Sequence, residues 1–158
     1  MSPDVAPSLL ELVVSRTLEE AAFVFCERSD AAADVEEPLI EAALTIAGDH
    51  AGELRLVVSE TFASTLAANM LGEEEGGAAV TGDDEDAVGE LLNMIAGAAA
   101  LEMFGRYARC ALGVPRVRRV SASAHREALA AADSLATLVD GEGQRIDVSL
   151  LCGRGGRR

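Results

Sequence analysis

The chain has 158 residues, 49% of them apolar, which is enough for one globular domain with its own core. It contains no Trp, one Tyr and four Phe, so that core must be aliphatic, and 27 Asp and Glu against 13 basic residues leave a net charge of −14. That balance argues against non-specific nucleic-acid binding, because the phosphate backbone would be repelled, the basic end being the one exception.

The charge is unevenly placed. Residues 1–104 hold 22 acids against three Arg, whereas residues 105–158 hold ten Arg against five acids. The basic end closes with Gly153-Arg154-Gly155-Gly156-Arg157-Arg158, which reads as a flexible tail (153–158) after a single domain (1–152). Cys26, Cys110 and Cys152 are odd in number and distant in sequence. They argue against a disulfide framework and for a reducing compartment, each thiol being expected as a small buried hydrophobe. His50 and His125 have no Cys or His at ligand spacing, so no metal site is expected. The start, Met1-Ser2-Pro3-Asp4, lacks a basic leader region, and the most apolar run, Ala87 to Phe104, is interrupted by Glu90 and Glu102. The expectation is a cytoplasmic protein with no membrane span.

In chain order, residues 8–27 carry Leu9, Leu12, Val13, Leu18, Ala21, Ala22 and Phe25 at helical spacing, with Ser8 as N-cap and Glu11 as its capping-box partner. Ser29 to Glu37 is polar and acidic, a loop ended by Pro38. Residues 39–48 and 53–59 read as a β-hairpin around the turn Asp49-His50-Ala51-Gly52, with His50 a solvated loop residue. A short helix opens at Ser59 or Glu60, sets Phe62, Leu66, Ala67 and Met70 on one side, and stops at Gly72. A loop from Glu73 to Thr81 leads to Asp83-Asp84-Glu85-Asp86, four acids that complement the positive end of the next helix. That helix, 84–104, has Val88, Leu91, Leu92, Ile95 and Leu101 as its core residues. Pro115 to Val120, Leu135 to Asp140 and Arg145 to Cys152 read as strands, the last two joined by the turn Gly141-Glu142-Gly143. Ser121 to Asp133 is Ala-rich and helix-prone but flanked by strands, and its sequence supports either state. The order α-β-β-α-α-β-β-β defines an α+β fold. Neither a Gly-rich phosphate loop nor a Gly-x-Ser-x-Gly elbow occurs.

One pair of residues stands out. Glu90 and Asn93 lie three apart in the apolar helix pattern, which places both side chains on one face. Asn is a poor mid-helix residue because its side chain competes for backbone groups. The chain holds only two, Asn69 and Asn93. On spacing alone, a solvated Glu90 and a locally hydrogen-bonded Asn93 are the plain alternative.

The surrounding stretch, Asp84-Glu85-Asp86-Ala87-Val88-Gly89-Glu90-Leu91-Leu92-Asn93-Met94-Ile95-Ala96-Gly97, closely resembles the signature helix of the CheC/CheX-type chemotaxis phosphatases. The run Gly52 to Ser59, then Ala63, Leu66, Ala67 and Met70-Leu71-Gly72, is similar to the strand and helix that precede it there. The layout fits the CheX branch, with one signature per chain: Asn69 has Leu66, not an acid, three residues before it. Ala98 stands where many relatives carry Asn, and Ser121-Ala122-Ser123 lacks the Pro common at that strand start.

The resemblance implies a mainly antiparallel sheet with helices packed on it. It implies hydrolysis of the acyl phosphate on the Asp of a CheY-like response regulator. Asn93 would orient the attacking water and Glu90 would dock the Lys beside the phosphorylated Asp. Asp86, Gly89, Met94 and Gly97 would form the partner-binding surface, the small Gly89, Ala96 and Gly97 letting the partner approach. The resemblance also implies Mg2+ arriving with the regulator, none being bound by this chain, and a homodimer formed through the sheet. Three alternatives differ in class. One is a non-catalytic module that binds a phosphorylated receiver, as flagellar-switch components do. Another is an interaction protein using the acids Glu73–Glu75 and Asp83–Asp86. The third is a small-molecule enzyme with Glu90 as general acid or base.

Overall fold

The computed structural model describes residues 8–29, 38–71 and 81–153. Among them are helices α1 (Leu9–Ala22), α2 (Glu60–Leu71), α3 (Thr81–Phe104) and α4 (Ala122–Ala131). The strands are β1 (Cys26–Arg28), β2 (Leu39–Gly48), β3 (Gly52–Ser59), β4 (Cys110–Leu112), β5 (Arg116–Val120), β6 (Ser134–Asp140) and β7 (Arg145–Cys152). The expected α-β-β-α-α-β-β-β order is present, supplemented by the three-residue strands β1 and β4 and by α4. The stop at Gly72, most of the loops 29–37 and 73–81, and the tail after Gly153 lie outside the described residues.

All seven strands form one antiparallel sheet in the order β1-β6-β7-β3-β2-β4, with β5 also paired to β2. Side chains alternate between the two faces of each strand. Ile40, Ala42, Leu44 and Ile46 of β2, Leu54, Leu56 and Val58 of β3, and Ile146, Val148 and Leu150 of β7 form one face. That face makes a single core with Leu10, Val14 and Leu18 of α1, Phe62 and Leu66 of α2, and Val88, Leu91, Leu92 and Ile95 of α3. The β2–β3 hairpin spans the expected residues, from Leu39↔Ser59 to Ile46↔Gly52. Gly48 cannot be replaced there without strain, because its φ is 112° and an added Cβ would lie 2.1 Å from the Arg109 carbonyl oxygen.

The first helix shows why its expected length was too great. Ser8 Oγ accepts from Glu11 N, and Glu11 Oε1 accepts from Ser8 N, the reciprocal cap expected from the sequence. The helix ends at Ala22, however, because Phe23 takes a left-handed conformation and its N–H returns to the Glu19 carbonyl. Phe25 therefore leaves the helix and is 70% exposed, and the buried stripe runs Leu10, Val13, Val14, Thr17, Leu18 and Ala22. At the far end of α3, Leu101 is 53% exposed rather than core. By length and composition alone Asp84–Phe104 reaches the size of a membrane span, despite Glu90 and Glu102. Here its apolar side packs against the sheet, α1 and α2.

The cysteines divide. Cys26 is partly buried, and burial, followed by the nearby charges of Asp140 and Glu19, pushes its thiol up to about 12, consistent with an inert side chain. Cys110 also packs against the core, but Cys152 is exposed at the end of β7, which corrects the expectation of three buried thiols. His50, expected to be solvated, is exposed but stacks on Phe104 with ring centroids 4.3 Å apart.

The segment from Ser121 to Asp133 resolves as helix α4, capped by Ser121 Oγ accepting from Ala124 N at 3.1 Å. Its one buried residue is His125, whose Nε2 lies 2.7 Å from Asp147 Oδ2. Asp147 follows core residue Ile146 on β7, so α4 covers the opposite face of the sheet from α1, α2 and α3. Burial pushes the Asp147 carboxyl up, but hydrogen bonds from His125, Arg145 and Thr137 outweigh it and hold the group below the usual carboxylate range. A pKa lower in the folded than in the unfolded chain means stability that is present above the ordinary value of 3.8 and lost as pH falls through the folded-state value. Melting temperatures should therefore drop below about pH 4. The drop should be smaller in Asp147→Asn, and equal acid losses in the two proteins would contradict this account.

Candidate functional site

Helix α3 presents two unlike sides. Val88, Leu91, Leu92, Ile95 and Ala96 are buried, while Asp86, Glu90, Asn93, Met94 and Gly97 are exposed. The i, i+3 spacing thus puts Glu90 and Asn93 together on the solvent side, as expected, with Met94 39% exposed beside them. Neither the Glu90 carboxylate nor the Asn93 carboxamide is engaged by another side chain among the described residues. The other Asn differs. Asn69 Nδ2 donates to the Ala22 carbonyl at 2.9 Å and ties α2 to the end of α1. One Asn is thus a structural tie. The other carries the helix-propensity cost of its type with no internal hydrogen bond to offset it.

The acids that begin α3 separate in the same way. Asp84 Oδ2 accepts from Ser64 Oγ of α2 at 2.7 Å. Glu85 lies 3.9 Å from Arg119 of β5, which also pairs with Glu60 at the start of α2. These contacts fix the start of α3 against its neighbours. Asp86 is exposed and remains on the lip of the site.

A groove of about 190 Å³ runs along this side, lined by Glu85, Asp86, Gly89, Glu90, Asn93, Pro115 and Val117. Its second wall, Pro115 and Val117, is invisible to local sequence reading. It arrives because β5 pairs with β2, Val117 opposite Ala42, and so passes beside α3. Gly89 serves this wall. It is buried, and a Cβ there would lie 3.3 Å from Val117 Cγ2 and 3.8 Å from Pro115 Cβ. Its small size therefore seats α3 on β5 while it also lines the groove where room for a partner was expected; Ala96, expected on that surface too, is buried in the core. Gly97 keeps the expected role available, since nothing lies within 4 Å of its added Cβ. Gly89→Leu should destabilise the fold by about 2 kcal/mol through overpacking and close the groove. A chemical-denaturation midpoint checks this, and an unchanged midpoint would show that β5 yields freely.

The groove is too small and open to enclose a metabolite, since small-molecule sites usually run to ~300 Å³ or more. It suits a surface laid against another protein. A larger cleft, about 370 Å³, lies at the far end of α3 around Gly48, His50, Phe104 and Cys152, and contains none of the expected site residues. Among the described residues no three His, Cys, Asp or Glu side chains converge to hold an ion.

The fold is shared with several solved chemotaxis proteins. The CheX protein of Desulfovibrio desulfuricans superposes with a TM-score of 0.68 at 17% identity, over 91% of this chain and 96% of that one. A chain of the CheX–CheY–BeF3–Mg2+ complex of Borrelia burgdorferi superposes with a TM-score of 0.68 at 12% identity, over 92% and 96%. CheX of Vibrio vulnificus gives 0.64 at 16%, over 91% and 93%. At these identities the likeness is one of fold. No curated protein matches significantly. Residues 40–135 match the family described as chemotaxis phosphatase CheX, and the chain belongs to that family.

Proposed function

We propose that this protein hydrolyses the phospho-aspartate of a CheY-like response regulator. The observation that carries the reading is the exposed, unengaged Glu90 and Asn93 pair on the solvent side of a helix whose other side is packed in the core, inside the region that matches the family. An acyl phosphate is already reactive, so a catalyst has to place a water in line and manage charge. The Asn93 carboxamide accepts one hydrogen of that water through Oδ1 and aims its oxygen at phosphorus. The new P–O bond forms as the bond to the regulator's carboxylate breaks, and inorganic phosphate leaves. Glu90 pairs with the regulator's Lys beside the phosphorylated Asp and sets the register of the docked helix. Asp86, Met94 and Gly97 complete the contact face.

Mg2+ comes with the regulator in this reading, as the presence of Mg2+ in the Borrelia CheX–CheY complex supports, and would supply neutralisation of the phosphoryl oxygens. The receiver is the expected partner on the same grounds. A homodimer through the sheet belongs to the same reading, and sedimentation should give the mass of two chains. Phosphate release from Mg2+-loaded phosphorylated receivers, followed with and without the chain, tests the proposal. Faster decay supports it. Binding of the phosphorylated form with no change in decay would make the protein a non-catalytic module.

A further inference from the structure

We propose that the sheet face opposite α1, α2 and α3 carries a second site, a cradle for a small oxyanion of the phosphate class, formed by Arg55, Arg116 and Arg118 over Ala43. Three adjacent strands build it. Ala43 of β2 sits between Arg55 of β3 and Arg116 of β5, so two guanidiniums flank a side chain that is one methyl group. With strands ~4.8 Å apart, the flanking Cα atoms are about 10 Å from each other, within reach of one shared anion. Two residues along, Arg118 lies opposite Glu41. The buried Glu41 carboxylate accepts from Arg118 Nε at 2.8 Å through one oxygen and from Arg55 Nη2 through the other. Arg116 approaches Glu53 only to 3.6 Å.

The result is a cleft of about 320 Å³ lined by Glu41, Ala43, Glu53, Arg55, Arg116 and Arg118. Three guanidiniums face two carboxylates, an excess of one positive charge in a chain whose net charge is −14. Both Glu41 oxygens are already committed. Arg55 Nε is buried and has no hydrogen-bond partner among the described residues. Burial, and then the like charge of Arg118, hold the Arg55 guanidinium below its ordinary value, even with Glu41 as its ion-pair partner. Guanidinium forks match the geometry of phosphate oxygens, and Ala43 leaves the space for them. None of these residues lines the α3 groove, so the inference stands apart from the phosphatase reading.

Free phosphate and phosphate monoesters share this chemistry. The test uses the full chain in chloride buffer, with thermal melts in increasing inorganic phosphate or methyl phosphate against sodium chloride at matched ionic strength. A saturable rise in Tm of about 3 °C at tens of millimolar is expected. It should fall below about 1 °C in Ala43→Leu, which fills the cradle and keeps every charge, and in Arg116→Ser, which lies on an exposed edge strand and is tolerated by the fold. A rise with one probe alone assigns the ligand to that source. No saturable rise with either probe, or an equal rise in both variants, would overturn the proposal.

Discussion

Asn93→Ala is expected to slow hydrolysis of the phosphorylated regulator about 100-fold while leaving the fold intact. The two halves of that expectation have separate causes. Losing a group that positions the attacking water removes on the order of 10²-fold in rate, or about 2.7 kcal/mol of transition-state stabilisation. The carboxamide is exposed and unengaged, so its loss opens no cavity and breaks no internal hydrogen bond. Ala is also the better helix former, by roughly 0.5 kcal/mol, so Tm should hold or rise slightly. The fall should appear in kcat, because the water is needed in the reaction and not in docking. Glu90→Ala should behave differently. It should raise KM about 10-fold, with a smaller loss in kcat, because a charge pair at a closing interface sets orientation and encounter. Steady-state phosphate release for both variants, beside thermal melts, checks the split.

Leu92→Ala, one residue away, is expected to do the reverse. Leu92 is fully buried in the core that α3 shares with α1, α2 and the sheet. Truncation removes apolar contact and leaves a cavity, for a cost of about 3 kcal/mol. In a domain of this size that is a fall in Tm of roughly 9 °C. Well below the melting transition the folded variant keeps Glu90 and Asn93 on their face, so activity per folded molecule should change little. A variant that melted normally but lost turnover would place Leu92 in the chemistry and contradict the two-sided reading of α3.

The parts of the fold that were legible in the sequence are those encoded locally. The Ser8 and Glu11 capping box, the β2–β3 hairpin around Asp49 to Gly52, and the buried residues Val88, Leu91, Leu92 and Ile95 of α3 all follow from neighbours a few positions apart. What escaped reading depends on distant partners. The strands β1 and β4 have three residues each, too short to show a period, and exist because β6 and β2 offer edges to them. His125 is buried because Asp147, far along the chain, accepts its hydrogen bond. Phe25 fits the helical spacing of α1, but the left-handed turn at Phe23 ends the helix first.

The site divides along the same line. Glu90 and Asn93 share a face by helix geometry alone, and the structure keeps both side chains outside. Pro115 and Val117, which turn that face into a groove, carry no signal of their own. Arg119 reads as one more Arg in a basic run until the fold sets it between Glu60 and Glu85. Gly89 was legible as a small residue on the right helix, but its contact with β5 was not.

The most direct test of the central claim is the single-turnover decay of a phosphorylated, Mg2+-loaded receiver under excess of this protein, with wild type and Asn93→Ala run on one receiver preparation. Wild type should shorten the phosphate lifetime well below the receiver's own, and Asn93→Ala should return it close to that intrinsic value while still binding. Equal acceleration by both proteins would contradict the claim, since hydrolysis would then proceed without the carboxamide.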